Sequence, residues 1–223
     1  MPCLIDLTHV LEDGMITFDA SWHPRFAIKQ LGRIGLEGRE SREMSIGTHT
    51  GTHIDAPLHF VKGGRSIDQV PLDLLIGKVS IIDFSDLPDN AVVSLEMLKN
   101  IKFLSRVIFK FGWGRYWGSR NFYKDYPFFS EEAAHYLVAQ GVKLIGIDSP
   151  SPDDSRIKLK TEVLGSKADS PIHKIFLGAN LVLIEYLGGL EKLEDYVGWM
   201  LIALPLKIKG ADGSPARVCL YKD

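Results

Sequence analysis

Residues 49–60 read H-T-G-T-H-I-D-A-P-L-H-F, and this stretch constrains the chain more than any other. It holds three of the seven histidines and an aspartate within twelve residues. Thr48, Thr50, Thr52 and Ile54 are β-branched, Gly51 interrupts them and Pro57 follows, a composition that disfavours a helix. In an extended chain with period 2, His49, His53, Asp55 and His59 share one face. Thr50, Thr52, Ile54, Ala56, Leu58 and Phe60 take the other. A straight strand would hold His49 and His59 roughly 33 Å apart. Gly51 and Pro57 are therefore expected to bend the run and curl its polar side chains around one point. His, Asp and His donors so gathered suit a divalent metal and proton transfer beside it, and the Asp55 carboxylate has two oxygens with which to bridge two ions.

A second cluster is expected further on. Asp169, Ser170 and Pro171 read as a helix start, with Ser170 or Asp169 as N-cap and Pro171 in the first helical position. His173 falls in that first turn, and the helix ends near Gly178 or Asn180. L-V-L-I-E-Y-L then reads as a buried strand in which Glu185 is a lone carboxylate. Burying it alone is costly, so it calls for a cation or a hydrogen-bonded partner, unless the strand lies at a half-exposed edge.

The 223 residues suffice for one sizeable domain spanning 1–223, with an ordinary balance of 45% hydrophobic and 24% charged residues. A net charge of −2 with no basic run argues against nucleic acid and anionic membranes as partners. No signal peptide or apolar span is visible, so a cytoplasmic location is expected. Cys3 and Cys219 read as free thiols, although terminal strands could bring them close. Strands are expected at residues 3–8, 26–30, 42–46, 77–84, 106–111 and 143–148. A helix capped by Ser130 ends at Gly141, and two C-terminal strands flank K-G-A-D-G-S-P. Strand pairs at both ends with helices between them indicate a mixed α/β fold. The aromatic loop at 14–24, with Phe18, Trp22 and His23, reads as a lid or a subunit contact. The glycine-aromatic turn at 112–118, with Trp113, Tyr116 and Trp117, lines the pocket or packs on the core. The charged stretch 155–167 reads as a flexible flank of the site.

The 49–60 motif resembles the signature of the cyclase family, metal-dependent hydrolases that include bacterial kynurenine formamidases and isatin hydrolases. The His173-to-Glu185 spacing, the opening I-D-L-T-H at 5–9 and G-I-D-S-P-S-P-D at 146–153 are similar to that family as well. The resemblance implies a swivelling β/β/α, mixed-sheet single domain that assembles as a homodimer or homotetramer. It implies two metal ions, zinc or manganese. His49, His53 and Asp55 would bind the first; Asp55 would bridge to the second, which His173 and Glu185 also bind. His59 would be the general acid/base, and His9 would lie near the site rather than merely pack. The implied activity is hydrolysis of an aryl formamide through a metal-activated hydroxide. Hydrolysis of a cyclic amide, or a cyclase or dehydratase reaction on the same centre, is the alternative. Residues 14–24 lack the aromatic-Pro-Gly-Asp segment of the formamidases.

Overall fold

The computed structural model describes residues 2–20, 22–157, 165–166 and 168–223. Of the expected flank 155–167, residues 158–164 and 167 lie outside the described residues.

The fold grows from apolar runs that alternate between two faces. Strands β1 (Cys3–Asp6), β2 (Ala27–Gly32), β3 (Ser41–Ser45), β4 (His53–Asp55), β5 (Ile76–Lys78), β6 (Ser80–Asp83) and β7 (Val92–Val93) occupy the first half of the chain. Strands β8 (Arg106–Lys110), β9 (Phe128–Phe129), β10 (Leu144–Ile147), β11 (Val182–Glu185), β12 (Met200–Pro205) and β13 (Gly213–Lys222) follow. Among the described residues, nine strands form one sheet in the order β5-β12-β13-β4-β11-β10-β8-β6, with β1 also paired to β13. β6, β8, β10 and β11 run parallel; β4, β13, β12, β5 and β1 are joined antiparallel. The architecture is thus the mixed α/β sheet that the alternation of elements indicates.

The central parallel strands are buried on both sides, as parallel sheets usually are. In β8, β10 and β11, Ile108, Leu144, Val182 and Ile184 face one core. Val107, Phe109, Ile145, Ile147 and Leu183 face the other. The first core fills the antiparallel half with Ile5, Leu7, Leu201 and Leu220. The second is covered by the helices Glu131–Ala139 and Pro171–Gly178 through Ala133, Leu137, Phe176 and Leu177. Ser130 caps the first of these helices by accepting from Ala133 N at 3.1 Å.

The structure departs from the sequence reading in places. Residues 77–84 are not one strand: the chain changes partners at Val79, whose amide bonds Trp199 C=O, so that β5 pairs with β12 and β6 with β8. Cys3 and Cys219 lie on the paired strands β1 and β13 but out of register, and both are free. Trp113 is core: its indole N–H donates to Phe122 C=O at 2.9 Å. The turn before it is held by the buried Asp148 carboxylate, which accepts from Phe111 N at 2.8 Å and Trp113 N at 3.0 Å. Burial pushes the Asp148 carboxyl up to about 6 against those hydrogen bonds.

Phe109 is fully buried, with Phe129 and Phe84 packed against its ring at centroid separations of 5.0 and 6.0 Å. Phe109→Ala is expected to cost about 3–5 kcal/mol in a denaturant titration; a loss below ~1 kcal/mol would mean that this core is not close-packed.

Candidate metal centre

The site is assembled around β4, whose two neighbours deliver side chains from distant parts of the chain. On one side, antiparallel pairing with β11 sets Glu185 opposite His53 and Leu183 opposite Asp55. On the other, β13 sets Gly213 opposite Asp55. Only His53–Asp55 of the 49–60 stretch is strand. The bends fall where Gly51 and Pro57 suggest: Gly51 takes φ +63°, and Pro57 opens the short 3-10 turn Pro57–His59. These turns bring His49 and His59 back toward Asp55. Their rings lie 3.9 Å apart, tilted by 31°. Gly213 makes room for this arrangement, since a Cβ there would stand 2.8 Å from both His49 Cε1 and Ile54 C=O.

His53 and His173 are each oriented from behind. His53 Nδ1 meets Gly51 C=O at 2.7 Å, which leaves Nε2 facing Asp55 Oδ1 at 3.2 Å and Glu185 Oε2 at 3.4 Å. His173 Nδ1 meets Asp153 Oδ2 at 2.5 Å; its Nε2 faces Glu185 Oε1 at 3.1 Å and Asp55 Oδ2 at 3.5 Å. A hydrogen bond on one ring nitrogen fixes which nitrogen is free for a ligand. Asp153 also accepts from the backbone amides of Ile172, at 2.7 Å, and His173, at 3.2 Å. It therefore caps the helix in place of Ser170, which holds the N-cap position at φ 49° with no side-chain cap bond. After Glu185 the chain turns sharply at Tyr186, φ 58°, and Thr52 Oγ1 donates to Tyr186 C=O at 2.6 Å.

The structure thus brings His49, His53, Asp55, His59, His173 and Glu185 into one cluster. Two groups of three, His49–Asp55–His59 and His53–Asp55–Glu185, each have ligand atoms within 4.8 Å of one another, and Asp55 belongs to both. His53 Nε2, Asp55 Oδ2 and Glu185 Oε1 are buried with no hydrogen-bond partner among the described residues. Orphaned donors and acceptors of this kind fit a cation. His49 differs: its Nδ1 lies 2.7 Å from Asp55 Oδ1 and its Nε2 2.8 Å from Asp212 Oδ2, so both nitrogens already face carboxylates. Burial works against the protonated rings, but the carboxylates outweigh it. They hold His49 up at about 9, His53 at about 10 and His173 well above the usual imidazole range. Asp55 is driven well below the carboxylate range by His49, His59 and His53, in spite of its burial. Hydrogen bonds to His49 and His59 lower Asp212 likewise.

Above the cluster lies a cavity of about 650 Å³ with aromatic walls formed by Phe18, Trp22, Phe60 and Tyr186. The loop at 14–24 therefore does reach the site. The glycine-aromatic turn does not: Trp117 faces a separate cavity of about 920 Å³. His9 lines that second cavity too, stacked on Trp117 at 4.1 Å, and burial lowers its imidazole to about 4. His9 thus packs, and its link to the site is through backbone, its amide donating to Thr52 Oγ1 at 3.0 Å. Sequence reasoning missed Asp153, Asp212, Thr52 and Gly213. Asp153 closes the 146–153 motif and so carried a signal; Asp212 sits in a D-G turn, where an aspartate is ordinary.

The Cyclase family model matches residues 5–154. The kynurenine formamidase of Bacillus thuringiensis subsp. konkukian is 32% identical over 221 residues, covering 97% of this chain and 96% of that one. The structure of isatin hydrolase A from Labrenzia aggregata, bound to benzyl benzoate, matches with a TM-score of 0.84 at 25% identity, covering 99% of this chain and 94% of that one. A structure described as a potential metal-dependent hydrolase with cyclase activity matches at 0.72 and 27% identity, covering all of this chain and 99% of that one.

Because His49 and His53 hold protons at neutral pH in the metal-free protein, a metal that displaces them should release those protons. Titrating zinc into metal-free protein in buffers of different ionisation enthalpy is expected to show more than one proton released per chain at pH ~7. No release would mean that zinc binds away from this cluster.

Proposed function

The chain belongs to the Cyclase family of metal-dependent hydrolases, and we propose from that premise that it is an amidohydrolase cleaving an aryl formamide at a binuclear centre. The observation that supports this most is the convergence of orphaned His53 Nε2, Asp55 Oδ2 and Glu185 Oε1 with His173 beneath an aromatic cavity. His49, His53 and Asp55 would hold one ion, and Asp55, His173 and Glu185 the other, with zinc as the first expectation and manganese as the alternative. When bound, such ions supply Lewis acidity, lowering the pKa of a water to ~7 and polarising a carbonyl.

The chain's own residues supply the rest. Phe18, Trp22, Phe60 and Tyr186 offer aromatic surface to an aryl group and exclude water from it. Gly51 C=O and Asp153 keep His53 and His173 turned toward the centre. His59, with its side chain 24% exposed, borders the cavity and so can meet substrate. It takes a proton from the water that attacks the formyl carbon and returns it to the leaving nitrogen as the C–N bond breaks. The products are formate and the free amine.

A second reading has an observation in its favour. The fold follows isatin hydrolase A over nearly its full length, and ring opening of a cyclic amide needs the same groups. A cyclase or dehydratase reaction on the same centre belongs with that alternative.

Assembly as a homodimer or homotetramer is part of the proposal. It is supported by the β2–β3 hairpin, which pairs with no third strand among the described residues and exposes Leu31, Ile34, Leu36 and Met44. Two-stranded ribbons are marginal alone, and a second copy would cover this one. A monomeric mass by light scattering would contradict it.

Zinc- or manganese-loaded protein is expected to hydrolyse N-formylkynurenine, with activity lost to chelator. His59→Ala should retain metal and lower kcat by about 10²–10⁴-fold. Asp55→Ala should lose at least one ion, read by metal analysis. Failure on the formamide with cleavage of isatin would select the second reading, and full activity in His59→Ala would remove that residue from the mechanism.

A further inference from the structure

Asp212 lies on the connection that leads into β13, next to Gly213, which pairs with Asp55. Its Oδ2 stands 3.1 Å from His59 Nδ1 and 2.8 Å from His49 Nε2. The main chain fixes this position. Ala56 N donates to Asp212 C=O at 2.9 Å, and Ile67 N donates to Ala211 C=O at 2.8 Å. Gly210 N donates to Asp68 Oδ1 at 2.9 Å. The Asp212 carboxylate itself bonds no backbone group; among the described residues its only partners are the two histidines. Its role in the fold is therefore carried by backbone, and its side chain is free to serve the site. The described residues offer no hydrogen bond to His59 Nε2, the nitrogen opposite the one Asp212 meets.

We propose that Asp212 is the positioning residue of His59. By accepting from Nδ1–H it fixes the tautomer and ring orientation that present Nε2, with its lone pair, to the cavity. A carboxylate behind an imidazole is the general way to set which nitrogen can accept a proton. The assignment rests on the reading of His59 as acid/base. It also accounts for the shared oxygen: the same Oδ2 holds His49, so that the stacked pair of rings keeps a fixed separation.

The test reads the tautomer directly and does not depend on knowing the substrate. In ¹⁵N spectra of zinc-loaded and metal-free protein, His59 is expected as the Nδ1–H tautomer. Asp212→Ala should abolish that preference. Asp212→Leu, which keeps the branch at Cγ but offers no acceptor, should do the same should the alanine variant fold poorly. In turnover, Asp212→Ala should lower kcat by about 10–100-fold with KM changed by less than about threefold, and Asp212→Glu should recover part of the loss. Because Asp212 acts through His59, His59→Ala/Asp212→Ala should be no slower than His59→Ala alone. An unchanged Nδ1–H tautomer in Asp212→Ala, or a double variant slowed by the full single-variant factor, would overturn the proposal. If the wild type cleaves no formamide or cyclic amide while the tautomer still switches, Asp212 keeps its role and the amidohydrolase reading falls.

Discussion

The structure depends on two carboxylates, Asp55 and Glu185, buried side by side at the middle of a sheet. Taking such charges out of water costs several kcal/mol each unless something compensates them. Here the compensation comes from three imidazoles, His49, His53 and His173, whose protons are held on by the acids they face. A cation offers the same compensation with the protons removed. The whole neighbourhood makes sense on that basis: Gly51 C=O and Asp153 hold two rings edge-on, Thr52 holds the turn at Tyr186, and Gly213 leaves space where a Cβ would collide with His49.

Sheet topology makes this concentration possible. β4 is only three residues long, yet it lies between β11 and β13, elements that begin about 130 and 160 residues later in the chain. The register with β11 puts Glu185 across from His53, and the register with β13 brings Asp212 to the edge of the same cluster. A slip of one residue would send every side chain of β4 to the wrong face. The strands that fix the register have large apolar residues on both sides, so the cores that stabilise the fold also set the geometry of the site.

The sequence made the parts governed by local chemistry legible. The period-2 face of His53 and Asp55, the bends at Gly51 and Pro57, the helix beginning at Pro171 and the lone Glu185 in an apolar run all follow from spacing and backbone preference. What was hidden depends on contacts between distant segments. Asp153 caps a helix eighteen residues further on, and no local pattern distinguishes it from Ser170 as the cap. Asp212 reads as a turn residue until the β13 register is known. His9 and Trp113 are polar-tipped or aromatic residues whose neighbours alone decide between core and pocket; Trp113 went to the core and His9 to the wall of the second cavity, both away from the metal-facing cavity.

In the proposed binuclear centre Asp55 would be the shared ligand of two ions. Anomalous diffraction at the zinc edge from crystals of zinc-loaded protein tests it most directly. Two peaks are expected, each about 2.0–2.2 Å from the Asp55 carboxylate, with His173 and Glu185 on one of them. A single peak, or ions lying away from Asp55, would contradict it.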